Sequence, residues 1–323
     1  MIIMSRNEYP QDVVSEVKDE IIARIRNTEL NRYPGQGETL KKVACAFGVK
    51  DGEVLLGNGS DELIQLLALK YGLGKKSVIL DPSFSMYRKC LESVQSRIVD
   101  IPLDSNWQPD LQLLLSECED ADLVFIANPN NPTGALISQE DICQIAALSK
   151  GITVVDEAYG DFAGTSSLPL LASCPRLLVL RTLSKGWGLA GLRLGMVFGS
   201  RDKIADLNEA RLPYNINCLS IAALDVMLET RSGGQLNLGT VISERQRMHS
   251  EMSRIRGVSV WPSVTNFILF ASERPASQTY EELLRRGIEV RKFTEGALAR
   301  ALRVTVCRPR ENDMFLKALR ELS

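Results

Sequence analysis

The chain has 323 residues, 45% of them hydrophobic and 24% charged, the composition of an ordinary globular protein of one or two domains. With 38 Lys+Arg against 40 Asp+Glu its formal charge is -2, so no basic excess exists to neutralise a nucleic-acid backbone or to seat a polybasic tail on an anionic membrane. The single histidine, His249, removes Ser-His-Asp triads, HExxH zinc sites and facial-triad iron sites, and its charged surroundings, ERQRMHSEMSR, suit an exposed helix position.

Seven cysteines, at 45, 90, 118, 143, 174, 218 and 307, include no CxxC pair and are odd in number, which argues against both a zinc ribbon and a disulfide framework. The start, MIIMSRNEYPQDVV, lacks the features of a secretory signal, and no stretch approaches the ~18 apolar residues of a spanning helix. A reducing, cytoplasmic setting is expected.

In chain order, short apolar runs alternate with amphipathic ones. Residues 61–71 (DELIQLLALKY) read as a helix and 77–80 (SVIL) as a buried strand. Strands follow at 123–127 (LVFIA), 153–155, 177–180 (LLVL) and 196–198, with a helix at 139–148 (QEDICQIAAL) among them. This alternation predicts an α/β domain on a mostly parallel sheet, with ligands at the carboxyl ends of the strands. After about residue 225 the texture changes to a charged helical stretch, then TNFILF, GIEVRKF and LRVTVC as strands, then a final helix, ENDMFLKALREL. The division expected is a large domain over 30–225 and a small α+β domain from 1–29 and 226–323.

Three strand-end loops carry the chemistry. RTLSKGWGLAGLRLG, 181–195, follows LLVL and sets Lys185 among Thr182, Ser184 and glycines that allow close approach; a solvated lysine in a Gly-rich loop is the plainer alternative. VVDEAYG, 154–160, ends a buried strand on Asp156, a costly place for a carboxylate unless something cationic lies opposite. An arginine would serve, and so would a protonated pyridine nitrogen, with Tyr159 in reach of a ring hydroxyl. ANPNNPTG, 127–134, offers the amides of Asn130 and Asn131, although a turn alone accounts for its composition. Together the loops supply an amine, a buried acid and an amide donor, the set that holds pyridoxal phosphate.

These segments resemble the fold-type I pyridoxal-phosphate-dependent aminotransferases, and within them the histidinol-phosphate aminotransferase family. The resemblance runs through NEYP (7–10), LNRYP (30–34), LGNGSDE (56–62), DPSFSMY (81–87), NPNNPTG, VVDEAY, RTLSKGWGLAGLR, PYNIN (213–217), TNFIL, GIEVRKF and LRVTVCRPRENDMFL. It implies a large domain with a mostly parallel central sheet flanked by helices, plus a smaller α+β domain.

It further implies that Lys185 attaches the cofactor covalently and shuttles a proton, and that Asp156 keeps the pyridine nitrogen protonated. Asn131 and Tyr159 would bind the ring hydroxyl. Phe84 stands where the family usually has a stacking tyrosine. Thr182, Ser184, Arg193 and the Gly59-Ser60-Asp61 turn would hold the phosphate, the last through backbone amides at a helix start rather than through the Asp61 carboxylate.

Tyr33 would reach the neighbouring site of a homodimer, while Arg291, Arg303, Tyr214 and Asn7 would face the substrate. The implied reaction is L-histidinol phosphate plus 2-oxoglutarate to imidazole-acetol phosphate plus L-glutamate. Threonine-phosphate decarboxylation and transamination of aromatic or other amino acids stand as alternatives, the latter because the chain begins almost at NEYP, without the family's longer arm. Neither nucleic acid nor membrane is expected as a partner.

Overall fold

A computed structural model describes residues 1–230 and 237–322. Its strands in chain order are β1 Ile2–Met4, β2 Val54–Asn58, β3 Lys76–Asp81, β4 Arg97–Pro102, β5 Leu123–Ala127 and β6 Ile152–Asp156. They continue with β7 Leu177–Thr182, β8 Leu194–Phe198, β9 Val258–Val260, β10 Phe267–Ser272, β11 Ile288–Lys292 and β12 Ala301–Thr305.

The larger sheet has the order β2-β8-β7-β6-β5-β3-β4. From β7 to β4 its neighbours are parallel, and β8 is antiparallel to both β7 and β2. β5, β6 and β7 are buried along their whole length, which is why they read as continuous apolar runs with Asp156 as the late exception. Helices cover both faces. Ser60–Leu67 buries Leu63, Ile64, Leu66 and Leu67 on one stripe, each worth about 1.5–3 kcal/mol when removed from water. The helical pattern expected over 61–71 is α-helical only to Leu67 and π-helical over Ala68–Gly72. Helix Gln139–Leu148 begins where Ser138 accepts a hydrogen bond from the Asp141 amide.

The smaller sheet has the order β1-β11-β12-β10-β9, with β1 parallel to β11 and the remaining pairs antiparallel. Its core joins Phe267, Phe270, Phe315 and Leu319, the last two from helix Pro309–Leu322. His249, expected to be exposed, is half-buried on helix Leu238–Met252, because that helix packs against Pro309–Leu322.

The crossing between the two units differs from the division expected at 29/30. Helix Ser15–Arg26 lies along Cys218–Glu229, and Val13 and Val17 join the core of the larger sheet with Ile221 and Leu224. An amphipathic helix settles wherever its apolar stripe finds a partner, so only the segment around β1 pairs with the smaller sheet. At the other end Val226 and Met227 also belong to the large core, past the boundary expected at 225. Tyr159 and Phe162, which follow β6, pack into the small unit's core and bring the two units against each other at the carboxyl ends of the large sheet. Among the described residues, no helix is long and apolar enough to cross a membrane.

Candidate active site

Because β2, β3, β5, β6 and β7 all run the same way, their carboxyl ends and following loops meet at one edge. That edge faces β11, β12 and the segment after β1 across a cleft of about 680 Å³, a size suited to a small organic ligand. Of the residues singled out from sequence, the cleft brings together Asn7, Ser60, Asp61, Phe84, Asn131, Asp156, Tyr159, Thr182, Ser184, Lys185, Arg193, Arg291 and Arg303.

Asp156 ends β6 and is only 4% exposed. Its Oδ1 accepts the Ala158 amide at 3.0 Å and its Oδ2 accepts the Tyr87 hydroxyl at 2.8 Å. Burial pushes its carboxyl up to about 6, and the two hydrogen bonds oppose that rise. Among the described residues no side chain supplies the cation expected opposite Asp156: neighbouring Glu157 takes Arg181 at 3.1 Å and Asp61 takes Arg193 at 3.0 Å. A buried acid with neutral donors and no cation is half of an ion pair whose other half a ligand can supply.

Lys185 follows β7, and its Nζ donates to the backbone oxygen of Arg6 at 3.0 Å, spanning the cleft from the large unit to the small. The same Nζ lies 5.9 Å from the centre of the Tyr159 ring. The Tyr159 hydroxyl accepts from Asn7 Nδ2 at 2.9 Å and from Asn131 Nδ2 at 3.4 Å, which leaves its own proton available to a ligand.

A second cluster of donors lies beside these groups. Thr182 Oγ1 donates to Ser184 Oγ at 3.1 Å, and Arg193 Nη1 reaches the same Ser184 oxygen at 3.4 Å. Helix Ser60–Leu67 starts here, and its N-cap residue, Gly59, offers no side chain to its first amides. Asp61 accepts a hydrogen bond from Arg193 Nη2 at 3.0 Å.

Gly59 does not line the cleft itself; it sits behind Arg193 with φ 80°, where a Cβ would come within 2.5 Å of Nη2. Gly195 is tighter still, since a Cβ there would lie 2.4 Å from Gly59 C and Ser60 N, both backbone. Gly195→Ala is therefore expected to push the Ser60 turn out of place and to destabilise the protein by about 1–3 kcal/mol. A urea midpoint unchanged from wild type would contradict this.

Arg303 is 7% exposed and has no carboxylate partner among the described residues. Its Nη1 donates to Asn131 Oδ1 and its Nη2 to Ser5 O at 2.8 Å, while Nε is buried without a partner. The guanidinium lies 5.1 Å from the centre of the Phe267 ring, and burial lowers it to about 10. Arg291 is its cross-strand neighbour, exposed over Phe293, so two positive charges flank one end of the cleft.

Two expected residues are elsewhere. Tyr33 and Tyr214 do not line this cleft; they stack on each other with centroids 4.0 Å apart and are 75% and 55% exposed. Tyr214, expected to face the substrate, does not line its own chain's cleft. The sequence reading also passed over Tyr87. Its signal was its position three residues after Phe84 at a strand-end helix start, which puts both rings on one helical face.

The pattern defining the family described as "Aminotransferase class I and II" matches residues 1–319. The histidinol-phosphate aminotransferase of Aquifex aeolicus is 39% identical over 98% of this chain and 91% of its own length. That of Thermoanaerobacter pseudethanolicus is 40% identical over 99% and 92%. Among solved structures, the histidinol-phosphate aminotransferase from Clostridium acetobutylicum superposes with a TM-score of 0.92 at 27% identity, covering 100% of this chain and 99% of that one. With the parallel sheet, the strand-end cleft and a match along nearly its full length, the chain belongs to the class I and II aminotransferases and has their fold-type I architecture.

Proposed function

We propose that the protein moves an amino group between L-histidinol phosphate plus 2-oxoglutarate and imidazole-acetol phosphate plus L-glutamate, with pyridoxal 5'-phosphate held in the cleft. The observation that carries the cofactor is Asp156: a buried carboxylate matched by neutral donors fits a protonated pyridine nitrogen. When bound, this cofactor supplies an electron sink for the carbon that bears the amino group.

The chain's own residues do the rest. Lys185 Nζ would hold the cofactor and, as a free amine, would move the proton at the substrate carbon. Asp156 holds the proton on the ring nitrogen. Tyr159 and Asn131 orient the ring hydroxyl, and Phe84 covers a ring face. Thr182, Ser184, Arg193 and the free amides at Ser60 and Asp61 hold the phosphate. Arg303 and Arg291 bind the anionic group of the substrate, since a buried guanidinium without a carboxylate is as incomplete as Asp156.

The reading includes a homodimer working in the cytoplasm. Leu30, Tyr33, Leu212 and Tyr214 are all more than half exposed, an apolar face that a second copy would cover, bringing Tyr33 to the neighbouring cleft.

The test is a single-turnover absorbance scan of the cofactor-loaded protein with L-histidinol phosphate and, separately, with L-threonine phosphate. Conversion of the cofactor to its amine form by histidinol phosphate, with 2-oxoglutarate restoring the starting spectrum, is expected. Release of carbon dioxide from threonine phosphate without such conversion would replace the transaminase reading by a decarboxylase.

A further inference from the structure

Asp156 needs its negative charge, yet its surroundings work against it. Burial and the nearby acids Asp61 and Glu157 all favour the protonated form. Those two acids are paired with Arg193 and Arg181 respectively, and Lys185 is turned to the Arg6 carbonyl. Of the other titratable groups near the pair, the Cys90 thiol on the Tyr87 helix is raised by burial and stays neutral, and the Tyr159 hydroxyl is engaged by Asn7 and Asn131. The charge on Asp156 therefore rests on two donors, the Ala158 amide and the Tyr87 hydroxyl.

Tyr87 is built for one direction. It lies in the first turn of helix Ser85–Ser93, is 1% exposed, and stacks on Phe125 of β5 with centroids 4.9 Å apart and planes 4° from parallel. Phe84 meets its edge at 5.6 Å. Clamped between these rings, the phenol points its oxygen at Asp156 Oδ2. Burial and the adjacent acid raise the phenol well above its ordinary range, so it keeps its proton and acts only as a donor toward the carboxylate.

We propose that Tyr87 is a positioning residue that holds Asp156 ionised and aimed at the protonated ring nitrogen of the cofactor, by donating its hydroxyl proton to Oδ2. The inference rests on the reading of the cleft as a pyridoxal-phosphate site. It adds a donor on the far side of the carboxylate, drawn from the same helix start that carries Phe84, so one turn of chain would cover the ring and set the charge beneath its nitrogen.

Tyr87→Phe keeps the ring and the stack on Phe125 and removes one oxygen, so folding is retained and is checked by far-ultraviolet circular dichroism. The readout is binding of pyridoxal 5'-phosphate to cofactor-free protein, followed by quenching of tryptophan fluorescence across a pH series. Wild-type affinity is expected to weaken as pH falls through the Asp156 midpoint near 6. In the variant that midpoint moves up by about one pH unit, so affinity drops about twofold at pH 7 and about tenfold at about pH 5, where the analogue and the double variant are compared. A carbocyclic analogue with C–H in place of the ring nitrogen should bind wild type and variant equally. In an Asp156→Asn background, Tyr87→Phe should change affinity less than about twofold.

An unmoved midpoint overturns the proposal. Equal weakening for cofactor and analogue does so as well, because it would mark Tyr87 as packing alone. Wild-type protein that binds no pyridoxal phosphate at any pH would overturn the reading of the cleft itself, and this inference with it.

Discussion

Replacing Lys185 by Ala is expected to lower turnover by about four orders of magnitude while leaving the fold intact. Three amines line the cleft, and two are badly placed. Lys89 is exposed on helix Ser85–Ser93, and Lys292 lies 5.0 Å over the Tyr280 ring. Lys185 alone of the three stands over Tyr159, whose hydroxyl is tied to Asn131 and Asn7. Its hydrogen bond to the Arg6 carbonyl is a neutral acceptor's contact, easily given up when the amine bonds elsewhere. Because that contact is solvated, removing it costs little stability, and the melting midpoint should move by less than a few degrees. Borohydride treatment should fix the cofactor to wild-type protein and not to the variant. Activity within tenfold of wild type in Lys185→Ala would sink the assignment.

The lysine loop was legible in sequence because it follows a fully buried strand. β5, β6 and β7 are largely apolar runs, so the polar residues that end or closely follow them, Asn131, Asp156 and Ser184, stand out against their surroundings. Strand β4 left no such mark, since as an edge strand it buries only Ile101 fully. β2 was hidden by its neighbours, a turn before it and Gly57 within it. Helix Ser15–Arg26 was not read as a helix, and its segment was given to the small unit with the rest of 1–29, because an apolar stripe does not name its partner.

The same limit governed the site. Burial of Asp156 correctly demanded compensation, and the sequence offered arginines and a cofactor nitrogen as the source. The donor that arrived, Tyr87, comes from 69 residues earlier in the chain, and only the β3-β5-β6 order brings it there. Tyr214 differs in another way. Its motif was visible, but its stack on Tyr33 outside its own cleft is a tertiary contact that the local pattern does not show.

Arg303→Ala is expected to lower kcat/KM for a phosphate-bearing amine by about a thousandfold, chiefly through KM, with the cofactor still bound. The size follows from truncating one member of a desolvated, hydrogen-bonded charge pair, which costs about 2–5 kcal/mol. The direction follows from geometry: Asn131 and Ser5 accept from Nη1 and Nη2, fixing the guanidinium plane, while Nε has no hydrogen-bond partner among the described residues. Arg303→Lys keeps a point charge but loses the fork, so it should recover only part of the loss.

The pH dependence separates this charge from a packing role. Burial lowers the guanidinium to about 10, so in the free enzyme the positive form is present below that pH and is lost as pH rises through it. Wild-type KM should therefore climb above about pH 10 while the Lys185→Ala-sensitive spectrum of the bound cofactor stays put, and Arg303→Ala should show no such limb. A variant that keeps wild-type KM, or that loses the cofactor's colour, would move Arg303 from the substrate's anion to the scaffold.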